Sequence, residues 1–144
     1  MTEAQTAEAL ARWMHRDQVD KSGKPYVEHL ERVAAMVSDE AKAAAWLHDI
    51  LEDTEIHPRA ISSIFGWKLD LAVAALTRDE VETYPDYIYK LSNVPAELGG
   101  AIAREVKIAD LKDNLSEYRR HEGDESLRRR YEKSLQHLED PVAA

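Results

Sequence analysis

The 144-residue chain contains no cysteine, which excludes disulfides, thiolate metal ligands and a cysteine nucleophile. Any metal must therefore be held by imidazole and carboxylate. With only five glycines and five prolines, and no β-branched run of alternating polarity, nothing argues for a sheet. No apolar stretch approaches the roughly 20 residues needed to cross a bilayer. The N-terminus, Met1-Thr2-Glu3-Ala4, lacks the basic-then-apolar pattern of a signal peptide. These absences place the protein in the cytoplasm, away from membranes. Positive charge is also short: 19 Lys and Arg face 28 Asp and Glu, for a net charge of -9. Nucleic acid is a poor partner for such a surface, because affinity there comes from neutralising phosphates. A small anionic substrate is compatible, provided a metal and a few local cations reverse the field at one site.

Ala, Leu, Glu, Arg and Lys dominate, and the pattern is that of an all-α helical bundle forming a single domain over residues 1–144. A first helix fits Thr2 to about Arg16, with Ala4, Ala7, Leu10, Ala11 and Met14 on one face. After the loop Asp20–Lys24, a second helix fits Pro25 to about Val37. Its inward stripe is Tyr26, His29, Leu30, Val33, Ala34 and Val37. A third, capped by Ser38 or Asp39, turns Ala41, Ala44, Ala45, His48 and Leu51 inward and stops near Asp53-Thr54. A short helix follows His57-Pro58, carries Ile61, Ile64 and Phe65, and ends at Gly66. Further helices are expected from Lys68 to about Leu76, and over Thr83–Asn93 with an interruption at Pro85. A long one follows from Pro95 to about His121, weak at Gly99-Gly100, and a last one from Glu125 to Leu138.

The densest chemistry is His48-Asp49-Ile50-Leu51-Glu52-Asp53, four groups able to bind metal or move protons within six residues. Acids at a helix C-terminus face the negative end of the dipole, so a cation is expected to offset them. A hydrogen-bonded core histidine beside a solvated helix end is the plainer alternative. His29 lies on an apolar stripe one helix earlier, and two inward histidines on adjacent helices can meet. Asp110 and Asn114 are four residues apart and share one helix face with Ala103 and Val106. A carboxylate buried there needs a cation or a metal, whereas an exposed face shared with Lys107 would need neither.

Three blocks then resemble a known family. They are Ser22-Gly23-Lys24-Pro25-Tyr26-Val27-Glu28-His29, then Ala45 to Thr54 around His48-Asp49, then Val106 to Asp110 with Asn114. Their order resembles the HD metal-dependent phosphohydrolases, and more closely the hydrolase domain of the RelA/SpoT group and its small stand-alone relatives. The resemblance covers about Leu10 to Tyr118. It implies an HD-domain fold and removal of the 3′-pyrophosphate of the alarmone (p)ppGpp, usually with Mn²⁺. It implies that His29, His48, Asp49 and Asp110 hold the metal, and that Glu52 and Asp53 are the acid pair handling the attacking water. Lys21, Ser22, Tyr26, Lys107 and Asn114 would face the substrate.

One position departs: where the family places an arginine against guanine, this loop has Asp20 before Lys21. An aspartate makes no guanidinium stack and repels phosphate. Guanosine recognition therefore does not transfer on that residue, and Tyr84, Tyr87 and Tyr89 are alternatives for a base pocket. Two imidazoles and two carboxylates suit Mn²⁺ better than a structural zinc. Lys21, Lys24, Lys107 and Arg12 are candidates to offset phosphate charge. An HD nucleotidase or nucleoside-triphosphate hydrolase of other specificity, and a non-catalytic nucleotide-sensing module, are the competing readings. Oligomeric state is left open, a homo-oligomer included. His15, His57, His121 and His137 carry no expected role in the chemistry.

Overall fold

The computed structural model describes residues 1–120 and 122–140, and these are α-helices, short 3₁₀ turns and loops. His121 and residues 141–144 lie outside the described residues. In chain order the helices are α1 (Glu3–Met14), α2 (Val27–Met36), α3 (Lys42–Leu47), α4 (Ile50–Asp53) and α5 (Pro58–Phe65). They continue with α6 (Trp67–Leu76), α7 (Tyr84–Asn93), α8 (Gly100–Asn114) and α9 (Glu125–Glu139).

The alanine-rich α3 lies at the centre. Ala43, Ala44, Ala45, Trp46 and Leu47 are all buried, and α1, α2, α6 and α8 pack around it. Methyl side chains let neighbouring backbones approach closely, so that longer side chains from α2 and α8 can reach one another. Leu30, Val33, Leu47, Ile50, Val106 and Leu111 are fully buried around them. Each such side chain contributes about 1.5–3 kcal/mol on leaving water.

Caps set several boundaries. Thr2 and Gln5 form a reciprocal capping box that starts α1. Thr83 caps α7 by accepting from the Asp86 N–H. Pro85 therefore starts α7 rather than interrupting it, because a first-turn residue has no intrahelical N–H bond to lose.

Two expected helices are divided. The third becomes a 3₁₀ turn (Asp39–Ala41), then α3, then a break at His48-Asp49, then α4. Asp49 has φ -108° and ψ 2°, outside the helical basin. The expected long helix from Pro95 begins only at Gly100 and stops at Asn114, before a 3₁₀ turn at Glu117–Arg119. Gly99 supplies the reason at the start, with φ +89°, a left-handed conformation that costs glycine little. Ile64, expected on the inward stripe of α5, is 52% exposed, and Ile61 alone on that helix is buried.

Candidate metal centre

Three segments meet in the core. His29 comes from the first turn of α2, His48 from the end of α3 and Asp110 from the third turn of α8. All three are buried, with 2%, 2% and 4% exposure. Their ligand atoms lie within 4.8 Å of one another. His29 Nε2 is 3.0 Å and His48 Nε2 3.2 Å from the same atom, Asp110 Oδ1. Asp49 joins through His48, with Oδ2 3.1 Å from His48 Nε2, and its carboxylate accepts a hydrogen bond from the Tyr26 hydroxyl. The break between α3 and α4 places Asp49 there. In an unbroken helix, residues 48 and 49 would point about 100° apart.

The outer nitrogens of both imidazoles are already engaged. His48 Nδ1 is 2.7 Å from the Ala45 carbonyl oxygen, which can only accept, so Nδ1 carries the proton. His29 Nδ1 lies 2.6 Å from Asp113 Oδ2. Asp113 is in turn clamped by Arg32 through two hydrogen bonds of 2.7 and 3.1 Å. Fixing Nδ1–H on each ring turns the Nε2 lone pairs inward, the orientation that supporting groups give to metal-bound histidines. Separations of 3.0–3.2 Å match those of neighbouring ligands around an ion held at about 2.1 Å from each. On donor type and spacing, the group fits one divalent ion.

The electrostatics point the same way. Burial disfavours charge on Asp110, but Lys107 and the two histidines outweigh it and hold the carboxyl well below its usual range. Burial raises Asp49 too, and His48 outweighs it. Burial lowers His48, yet Asp49 and Asp110 raise it well above its ordinary value. The same contest, decided by Asp110 and Asp113, raises His29. The carboxylates thus favour positive charge on the imidazoles, as they would favour a cation between them. Tyr26 is pushed up by burial and by Asp49, and stays a neutral donor.

The other expected site residues are distributed around this centre. Lys107 Nζ is 2.9 Å from Asp110 Oδ2, and Asn114 Nδ2 is 3.3 Å from Asp110 Oδ1. Both are thus bonded to the central carboxylate. Glu52 accepts from the Arg78 N–H, and burial raises its carboxyl. Burial, with Asp49 and Glu52 nearby, pushes Asp53 up to about 6. Ser22 donates its N–H to Asp20 inside the loop, and Lys21 donates its N–H to Glu122 Oε1 at 3.0 Å.

A cleft of about 480 Å³ opens beside the centre, lined among others by Asp49, Glu52, Arg78, Tyr84, Lys107 and Arg130. Tyr84 and Tyr87 line it, whereas Tyr89 is 66% exposed elsewhere. Arg12 is not at the site: it pairs with Glu8 and Glu31 at 2.9 and 3.1 Å and lies over Trp46. Sequence reasoning does not single out Asp113, Arg32, Arg78 or Arg130. The signal for the first two is spacing. Asp113 follows Asp110 by three residues and Arg32 follows His29 by three, two ladders on facing helices.

No protein-family model matches the chain. A guanosine-3′,5′-bis(diphosphate) 3′-pyrophosphohydrolase of Drosophila melanogaster, MESH1, is 31% identical over 115 residues, covering 73% of this chain and 63% of that protein. One of the same name from Aquifex aeolicus is 29% identical over 126 residues, 78% of this chain but 17% of that protein. A probable one from Synechocystis is 39% identical over 70 residues, 45% of this chain and 9% of that protein. The chain thus spans less than two thirds of each of these relatives. A solved structure described as a metazoan ortholog of SpoT that hydrolyzes ppGpp superposes with a TM-score of 0.73 at 22% identity, over 96% of this chain and 85% of that one. That likeness shows the all-α fold.

Proposed function

As a relative of the HD-type ppGpp pyrophosphohydrolases, this chain is, we propose, a divalent-metal-dependent phosphohydrolase that removes the 3′-pyrophosphate of a (p)ppGpp-type nucleotide. The observation that carries the reading is the convergence of two Nδ1-anchored imidazoles on one buried carboxylate oxygen, beside a cleft lined by Lys107, Arg78 and Arg130. His29, His48, Asp49 and Asp110 are the proposed ligands, and Mn²⁺ the proposed ion. When bound, the ion supplies Lewis acidity toward phosphorus and acidifies water at neutral pH.

The chain's own groups do the rest. Water adds to phosphorus as the bond from phosphorus to the 3′ oxygen breaks; the water proton passes to a carboxylate and the leaving 3′ oxygen takes up a proton, so that pyrophosphate and the 3′-hydroxyl are released. Glu52 and Asp53 are the proposed acceptors; Glu52 lines the cleft and accepts from the Arg78 N–H. A carboxyl raised to about 6, as Asp53 is, is a stronger base near neutral pH than an ordinary aspartate. Lys107 and Tyr26 hold Asp110 and Asp49 in place. Arg78 and Arg130 offset phosphate charge from the cleft wall. The substrate is taken from the cytoplasmic nucleotide pool.

A second reading, hydrolysis of another nucleotide, is favoured by Asp20. Its carboxylate is spent inside its own loop, accepting from the N–H groups of Ser22 and Lys24 at 2.9 Å each. A panel of ppGpp, nucleoside mono-, di- and triphosphates with Mn²⁺ decides between them. Pyrophosphate release from ppGpp alone supports the first reading; faster turnover of a triphosphate overturns it. His48→Ala should abolish both turnover and metal retention while leaving the helical circular dichroism spectrum. Full turnover by that variant would end the scheme.

A further inference from the structure

Three cations meet one aromatic ring beside the metal centre. Arg130 lies 4.8 Å, Lys107 5.6 Å and Arg78 5.8 Å from the centre of the Tyr84 ring, all within the roughly 6 Å over which a ring's π face attracts a cation. The three come from separate parts of the chain: α9, α8 and the loop after α6. Tyr84 opens α7, where the Thr83 cap and Pro85 fix the start of the helix. All four residues line the 480 Å³ cleft.

We infer that Tyr84 is a positioning residue whose ring gathers Arg78, Lys107 and Arg130 on the cleft wall and keeps their charges available to a phosphate; the inference rests on the phosphohydrolase reading above. Like charges brought together repel, and in this cleft they have another destination. Asp49, Glu52 and Glu80 line it as well, and a guanidinium free to swing would settle on one of them. Once paired with a carboxylate it offers a phosphate little net charge, the condition in which Glu8 and Glu31 hold Arg12. A ring attracts a cation without carrying an opposing charge. Among the described residues, neither Arg78 nor Arg130 forms an ion pair, and each lies over Tyr84 instead.

The ring is itself held. Its centre lies 5.7 Å from that of Tyr87 and 6.3 Å from that of Tyr131. Tyr87 is tied down by its hydroxyl, which donates to the Leu76 carbonyl oxygen at 2.6 Å. Tyr131 also lines a neighbouring cavity, of about 220 Å³, with Lys21, Arg119 and Arg128. The Tyr84 hydroxyl is shielded from water and has no hydrogen-bond partner, so its neighbours engage the ring rather than the oxygen. A ring so surrounded is engaged by charge and is not left open for a base.

The test is calorimetric titration of the Mn²⁺-loaded protein with inorganic pyrophosphate, which carries charge but no base. Tyr84→Leu should weaken binding about tenfold through the lost cation–π contacts, with metal content and the helical spectrum unchanged. Tyr84→Phe keeps the ring and should bind within about twofold of the unmodified protein. A trifluorinated phenylalanine in place of Tyr84 keeps the shape of the ring but withdraws its π charge, so it should lose binding as leucine does; it decides the matter if Tyr84→Leu disturbs the fold. In a double-mutant cycle with Arg130→Met, the Tyr84→Leu loss should shrink once the guanidinium is gone, because the two act through one contact. A Tyr84→Phe loss as large as that of Tyr84→Leu, binding unaffected by fluorination, additive losses in the cycle, or no pyrophosphate binding by any form overturns the inference. Hydrolysis separates the two ideas. Tyr84→Leu should raise KM for ppGpp with kcat little changed, and an unmoved KM in an active enzyme sinks the role of the ring and leaves the phosphohydrolase. No turnover by the unmodified protein, with pyrophosphate binding still lost in Tyr84→Leu and kept in Tyr84→Phe, does the opposite.

Discussion

The Nε2 atoms of His29 and His48 face a carboxylate oxygen that attracts protons as readily as it attracts a metal. Both imidazoles are raised above their ordinary values, against the effect of burial, by Asp110 with Asp113 and by Asp49 with Asp110. A raised histidine stabilises the fold below its unfolded pKa, and that stabilisation is lost as pH rises through the folded value. Protons and a divalent ion compete for the same lone pairs, so metal binding releases protons. The rise in Tm on adding Mn²⁺ should therefore grow between pH 6 and pH 8, measured by differential scanning fluorimetry; a constant increment would contradict the ligand assignment. Asp113 belongs to the same scale. Asp113→Asn keeps the size of the side chain but removes the charge that fixes His29 and pairs with Arg32. It should weaken Mn²⁺ by about 10–100-fold while retaining the helical spectrum, with titration calorimetry as the check.

Among the elements, the stripes of α1 and α2 and the burial of His29, His48 and Asp110 are legible in sequence, because apolar periodicity and inward polar residues share one register. The break between α3 and α4 is not. Nothing in Trp46-Leu47-His48-Asp49-Ile50-Leu51 interrupts a helical pattern, and the turn is visible only once Tyr26 and His48 are seen gripping Asp49. Pro85 resembles an interruption in sequence, because its place relative to the Thr83 cap decides its effect. Charge alone suggests Arg12 for phosphate, but two glutamates claim it. The Gly99-Gly100 pair has the composition of a weak point, yet it is a tight junction. A Cβ on Gly100 would collide with the Val94 carbonyl oxygen and lie 2.7 Å from that of Pro95. Gly100→Ala should therefore cost about 1–3 kcal/mol, the usual range for overpacking. Thermal unfolding reads that as a drop of several degrees, since about 2–4 °C accompanies each kcal/mol at this size. An unchanged Tm would mean that the junction yields.

Over the whole molecule, a net charge of -9 coexists with a face that gathers Lys107, Arg78 and Arg130 on one cleft and Lys21, Arg119 and Arg128 on its neighbour. Local cations on an acidic body attract a polyphosphate only at short range, and salt screens that attraction over about 8–10 Å. The ratio kcat/KM for a tetraphosphate should fall as salt is raised from roughly 50 to roughly 300 mM, with kcat itself little changed; a flat response would place the recognition elsewhere. The centre also unites residues far apart in the chain. His29 meets Asp110 across 81 positions, and His48 meets it across 62. Contacts so distant form only after a large loop has closed, and such closures come late and slowly. A chain emerging from the ribosome therefore has no complete chelating site until α8 has been synthesised and docked. A metal ion offered to the refolding chain should find that group only then, so in stopped-flow refolding the metal-sensitive signal should trail the recovery of helicity.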